Sequence, residues 1–198
     1  GCVPSKTLIK SAHVYHQMKK SQDFGLPRVD IPPVDFKQVT KRIKSVIDTI
    51  QIHDSEERFC SLGAKVVFGH ACFIDEQSVK FDKKIISADK WVIATGSSPV
   101  VPPIKGLAET PHLTNKEIFY MDNLPASMII LGAGPIGIEM AQAFNRLGTQ
   151  ITVIDRADQI LGKEDKDMAD AVMKIMNSEG VKFIMEAAIT EVKNLENA

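Results

Sequence analysis

Two groups of residues in this sequence have the types and spacing for chemistry. The first is Gly132-Ala133-Gly134-Pro135-Ile136-Gly137, a G-x-G-x-x-G pattern. It follows the apolar run Ser127–Leu131, which reads as a buried strand, and opens Ile136–Leu147, which reads as a helix. Asp155 closes the next strand-like run, Gln150–Asp155, 18 residues past Gly137. Strand, glycine turn, helix and a later acid are the context that a dinucleotide turn requires. Gly132 lets the chain turn tightly, Gly134 lets the backbone approach a pyrophosphate, and Gly137 lets the helix pack closely on the strand. The helix start, which includes Pro135 and Ile136, offers free N–H groups and a partial positive charge to the phosphates. Asp155 is placed to accept a hydrogen bond from the ribose 2′-OH. A 2′-phosphate would meet like charge there, so NAD is expected over NADP. Arg156 could receive that phosphate, but adjacent strand residues face opposite ways. Without its context the pattern would be a glycine-rich turn that binds nothing.

The second group is Cys2 with Lys6. Cys2 stands just before Pro4, at the front of a helical pattern with Leu8, Ile9, Ala12 and Tyr15 on one face. Proline suits a first helical turn, where its missing N–H costs nothing. Thiols at helix N-termini favour the thiolate, the nucleophilic form, and a lysine nearby would reinforce this. By this physics alone, an isolated cysteine near a helix start is more often a small buried apolar residue.

The remaining candidates are plainer. Cys60 and Cys72 match no redox motif and are expected to be packing residues. His13, His16, His53, His70 and His112 have no metal-like grouping, so no metal is expected. Met168, Met173 and Met176 read as core filler. Lys37, Lys41, Arg42 and Lys44 lie mainly off the apolar stripe Phe36, Val39, Ile43, Val46, Ile47 and Ile50, and read as a solvated helix face.

The elements that must position these residues follow from period and punctuation. Lys65–Gly69, Ser78–Phe81 and Lys90–Ala94 read as strands. A loop through Pro99, Pro102, Pro103 and Gly106 is the best boundary in the chain. Beyond it, Ser127–Leu131, Ile136–Leu147, Gln150–Asp155, Asp165–Gly180 and Val181–Met185 alternate as β-α-β-α-β, which implies a parallel sheet. The expected fold class is α/β, with two incomplete nucleotide-binding, Rossmann-like domains and parallel sheets. Their spans are 1–112 and 113–198.

Composition excludes several functions. The 198 residues are 44% hydrophobic and 25% charged, with formal net charge −1. That gives no electrostatic case for nucleic acid or an anionic membrane. No apolar run reaches the ~18 residues of a membrane span. Three cysteines are too few for a secreted disulfide scaffold, so a cytoplasmic location is expected.

Gly1-Cys2-Val3-Pro4-Ser5-Lys6 strongly resembles the redox motif of the flavoprotein disulfide reductases, which include dihydrolipoamide dehydrogenase, glutathione reductase and mercuric reductase. In that family the motif holds two cysteines separated by four residues. Cys2 matches the second, which lies against the flavin in a charge-transfer contact. The first belongs five positions before Cys2, outside the given sequence. Ala94-Thr95-Gly96-Ser97 is similar to a segment that ends a buried strand and passes close to the flavin nucleotide. Gly69-His70-Ala71 is similar to a strand end whose main chain, at Ala71, touches the adenine of FAD. The turn from Gly134 to Glu139 resembles that of the family's nicotinamide domain, so Glu139 is implied to pair with Lys6 near the flavin N5. Spacing alone could not link residues 133 apart. The sequence departs from the family at Pro135, where many members have an aromatic gate over the flavin.

The resemblance implies a fragment of an enzyme that passes electrons between a nicotinamide, FAD and a disulfide including Cys2. Lys6, Ala71, Thr95 and Gly96 would face FAD. Gly132, Gly134, Pro135, Ile136, Gly137 and Asp155 would face NAD. A small-molecule or disulfide substrate and a homodimer are implied for the intact enzyme. The motifs cover nearly all of this chain and well under half of a full enzyme, whose FAD-phosphate turn and C-terminal His-Glu pair are not among these residues. The fragment alone is therefore expected to be inactive and to hold no stoichiometric FAD. The rival reading is an NAD-binding module without redox turnover.

Overall fold

A computed structural model of the chain describes residues 1–194. The chain forms two compact units. One joins Gly1–Asp48 to the chain from Val101 onwards, and the other is Thr49–Val100. Within the larger unit, the first helices pack on elements from the second half.

In the larger unit, α1 spans Cys2–Lys19 and α2 spans Phe36–Gln51. The second half runs β4 (Ser127–Leu131), α4 (Pro135–Leu147), β5 (Gln150–Ile154), α5 (Lys166–Ser178) and β6 (Lys182–Ile184). The three strands form a parallel sheet in the order β4-β5-β6. Ser127 pairs with Gln150 and Thr152 with Lys182. Each helix is the crossover that a parallel pair needs. The sequence alternation therefore carries through to topology.

The core of this unit is built on α4, whose Ile138, Met140, Ala141, Ala143, Phe144 and Leu147 are buried. Leu8 and Ala12 of α1 and Phe36 and Ile43 of α2 are buried in the same core. The rings of Phe36 and Phe144 lie 5.7 Å apart. From α5, Ala169 and Met176 are buried, with Val172 and Met173 packed beside them. Met168 is a correction. It is 61% exposed, because its position falls off the inward face of α5. The basic face of α2 is not wholly solvated either: Arg42 Nη1 donates to Thr7 O (3.1 Å) and Ser11 Oγ (3.3 Å), fastening α2 to α1. Lys44 pairs with Asp48 one turn on.

The smaller unit holds α3 (Glu56–Ser61) and an antiparallel sheet of β1 (Ala71–Phe73), β2 (Ser78–Phe81) and β3 (Lys84–Ser87). This corrects the expectation of parallel sheets throughout. Only Ser78–Phe81 coincides with an expected strand. Residues 65–69 and 90–94 have the apolar content of strands but pair with nothing among the described residues. The physical reason is local pairing. Short turns, one pinned by Gln77 N–H donating to Asp75 Oδ1 (2.8 Å), fold neighbouring segments into hairpins, whereas parallel pairing needs a distant partner. Ala94-Thr95-Gly96 is accordingly exposed rather than the end of a buried strand. Cys60 and Cys72 are also exposed, not packing residues, since this unit buries little beyond Val79.

Candidate active site

The glycine turn joins β4 to α4 as the spacing requires. Gly132 has φ +106°, a conformation that a side chain would strain. A Cβ on Gly134 would point into open space, so nothing blocks approach to its backbone. A Cβ on Gly137 would lie 2.1 Å from Gly132 O, so only glycine lets α4 close onto the turn. Gly137→Ala is expected to destabilise the protein by about 1–3 kcal/mol, the usual cost of overpacking, and to lower coenzyme affinity. Thermal melting with and without NADH checks both.

Ala133, between the glycines, is buried and held on both sides. Its N–H donates to Asp155 Oδ2 (2.6 Å) and its carbonyl accepts from Leu161 N–H (2.8 Å). Asp155 Oδ1 also accepts from Ala157 N–H (2.9 Å). Burial alone would raise the Asp155 carboxyl. The Ala133, Ala157 and Arg156 backbone N–H groups and the Arg156 charge outweigh that and hold it below the usual carboxylate range. Asp155 thus has a task that the sequence did not show: it locks the turn and stays ionised at its edge.

Above the turn lies a cleft of about 350 Å³, lined by Gly134, Pro135, Asp155, Gln159 and Lys163 among others. Gly134 is the N-cap of α4 and supplies no side-chain cap, so the N–H groups of Ile136 and Gly137 have no capping side chain from it at this end. Pro135 occupies the first helical turn and Ile136 is 62% exposed beside it. An open glycine backbone, uncapped helix N–H groups and an ionised acid fit the pyrophosphate and ribose of a dinucleotide.

A second group lies along α1 and α4. Cys2 is exposed in the first turn of α1, with its carbonyl accepting from Ser5 Oγ (3.1 Å). Lys6 follows one turn later on the same face, roughly 6 Å along the axis. The Lys6 ammonium forms an ion pair with Glu139 Oε1 in the second turn of α4. Residues 133 apart are therefore neighbours. The glycine turn and the Lys6–Glu139 pair share the N-terminal half of α4, so one helix positions both.

The other expected site residues belong to the smaller unit. Ala71 opens β1 and pairs with Phe81. Thr95 and Gly96 are exposed, and Gly96 has φ +69° with nothing where a Cβ would lie. Among the described residues no group of three or more His, Cys, Asp or Glu side chains could hold a metal ion. No described helix is long and apolar enough to cross a membrane.

Among proteins of known kind, the chain is 28% identical over 193 residues to the mercuric reductase of Bacillus cereus, covering 98% of this chain and 30% of that protein. It is 32% identical over 196 residues to a dihydrolipoyl dehydrogenase of Acholeplasma laidlawii, covering 97% of this chain and 58% of that one. The latter share is larger than the sequence reading allowed. A solved structure of the HOCl-induced flavoprotein disulfide reductase RclA from Escherichia coli, in a Cu(II) complex, superposes with TM-score 0.79. The sequences are 29% identical, and the match covers 100% of this chain and 41% of that one. The chain thus spans roughly a third to three-fifths of the length of these relatives. The family profile of the pyridine nucleotide-disulphide oxidoreductases matches residues 1–198. With the glycine turn, the motif around Cys2 and the Lys6–Glu139 pair in place, the chain belongs to the pyridine nucleotide-disulphide oxidoreductase family, flavoproteins that use FAD and NAD(P)H.

Proposed function

We propose that the protein carrying this chain passes electrons between NADH, FAD and a redox disulfide that includes Cys2, and from there to a small-molecule or disulfide substrate. The single observation that carries the reading is the Lys6–Glu139 pair, formed one helical turn from Cys2 by the helix whose N-terminus ends at the dinucleotide cleft. FAD supplies the two-electron carrier between nicotinamide and disulfide. The uncapped start of α4 binds the coenzyme phosphates, and Asp155 orients the ribose. Lys6, paired with Glu139, brings a positive charge one helical turn from the thiol. Cys2, as thiolate, enters thiol–disulfide exchange with its partner cysteine. Residues 1–112 then belong to the FAD-binding part and 113–198 to the NAD-binding part, with Ala71, Thr95 and Gly96 offering main chain to FAD. The whole protein is a cytoplasmic homodimer in this reading.

The test is anaerobic spectroscopy of the purified full-length protein. The expected result is ~1:1 flavin whose visible absorption changes on adding NADH and bleaches only once the disulfide is reduced, and a Lys6→Met variant with an altered flavin spectrum. NADH binding without flavin would make the protein a nucleotide-binding module instead.

A further inference from the structure

We propose that Arg146, Glu179 and His16 form a positioning cluster that fixes α1 against α4 and thereby sets the geometry of the Lys6–Glu139 pair. The inference rests on the reading that this pair works beside the flavin. Glu179, just past the end of α5, is gripped by α4. Arg146 Nε donates to Glu179 Oε2 (2.8 Å) and Arg146 Nη2 to Glu179 Oε1 (2.6 Å), while Asn145 Nδ2 donates to the Glu179 carbonyl (2.9 Å). The two charged side chains are 15% and 6% exposed. From α1, His16 Nε2 approaches Glu179 Oε1 to 3.8 Å.

The two ends of the helix pair are unequal. The side chains of Lys6 and Glu139 are 61% and 37% exposed, and an ion pair in such contact with water defines little geometry by itself. Two-pronged Arg–carboxylate contacts out of water are directional. Glu139 and Arg146 are seven residues apart on α4, so they lie two turns apart on one face. Between the two contacts Ile9, Ala12, Gln142 and Ala143 line a cavity of about 160 Å³. Leu8 and Ala12 pack α1 on the core around α4, and at the Arg146 end the contact of His16 with the Arg146-held Glu179 adds the directional polar contact that apolar packing lacks.

The groups facing His16 are Lys20 and His13 from α1, Arg146 from α4 and Glu179. Burial and the Arg146 charge lower the imidazole below its ordinary value, against the pull of Glu179. Docking therefore favours neutral His16. Its contribution is complete above the ordinary imidazole range and is lost as pH falls.

A double-mutant cycle on the full-length flavoprotein tests this, with the rate of flavin reduction by NADH as the readout. Arg146→Met is expected to slow reduction roughly 10- to 100-fold, the scale of an ångström misplacement. Arg146→Lys, which keeps charge but not the two-pronged contact, falls between. Because the cluster acts through Lys6, adding Arg146→Met to Lys6→Met should slow reduction no further. Additive losses, or a wild-type rate in Arg146→Met, would overturn the inference. A wild-type rate in Lys6→Met would instead overturn the functional reading beneath it. Should Arg146→Met not retain flavin, His16→Gln decides: it is expected to flatten the fall in rate at pH below the ordinary imidazole range, and an unchanged pH profile would contradict the proposal.

Discussion

In the full-length protein, Cys2→Ser is expected to keep its FAD and to lose disulfide turnover by roughly 10³-fold or more, the scale of removing an essential nucleophile. Cys2 sits in the first turn of α1, exposed, and its side chain makes none of the core contacts that Leu8 and Ala12 make. Serine replaces sulfur by oxygen at nearly the same size, so α1 and its packing should survive. A hydroxyl can neither form the disulfide nor act as the exchanging thiolate. Reduction of the flavin by NADH does not need the disulfide and should persist. Steady-state turnover with a disulfide substrate, beside the flavin content of the same preparation, checks both halves of the expectation.

The second large effect concerns the coenzyme. NADH is expected to exceed NADPH in kcat/KM, and Asp155→Asn to narrow that gap roughly 10- to 100-fold. Two like charges near 4 Å at a protein surface repel by up to a few kcal/mol, and each 1.4 kcal/mol is tenfold. Asp155 lines the cleft and its hydrogen bonds keep it ionised, so a 2′-phosphate at this edge meets a full negative charge. Asparagine is the informative substitution because its carbonyl can still accept from Ala133 N–H or Ala157 N–H, whereas alanine would leave the buried Ala133 N–H without its partner. Kinetics with each coenzyme on both proteins give the comparison. A wild-type preference for NADPH, or an unchanged ratio in Asp155→Asn, would contradict the role of Asp155.

What could be read from the sequence was local or periodic. The stripe Phe36, Val39, Ile43 and Ile47 identified α2, and the alternation after residue 126 identified the parallel sheet with its glycine turn. Asp155 was legible as an acid at a strand end. That its two oxygens hold Ala133 and Ala157 was not, because the loop after β5 must fold back before those N–H groups converge. In the Thr49–Val100 unit, apolar content located strand-like segments but not their partners. Pairing is a relation between segments, and only Ser78–Phe81 was placed correctly. The Arg146–Glu179 contact joins residues 33 apart through the close of α5 onto α4. One signal could have pointed to it: His16 continues the i, i+4 series of Leu8 and Ala12, which puts a polar ring on a buried stripe.

The most direct test of the central claim, that Cys2 is the thiol facing the flavin, is an anaerobic NADH titration of the full-length protein followed across the visible spectrum. With one equivalent of NADH, wild-type protein should keep most of its flavin bands and gain a long-wavelength charge-transfer band, because the electrons pass on to the disulfide. Cys2→Ser should lose its flavin bands and gain no such band. A charge-transfer band that survives in Cys2→Ser, or flavin-free wild-type protein, would contradict the account.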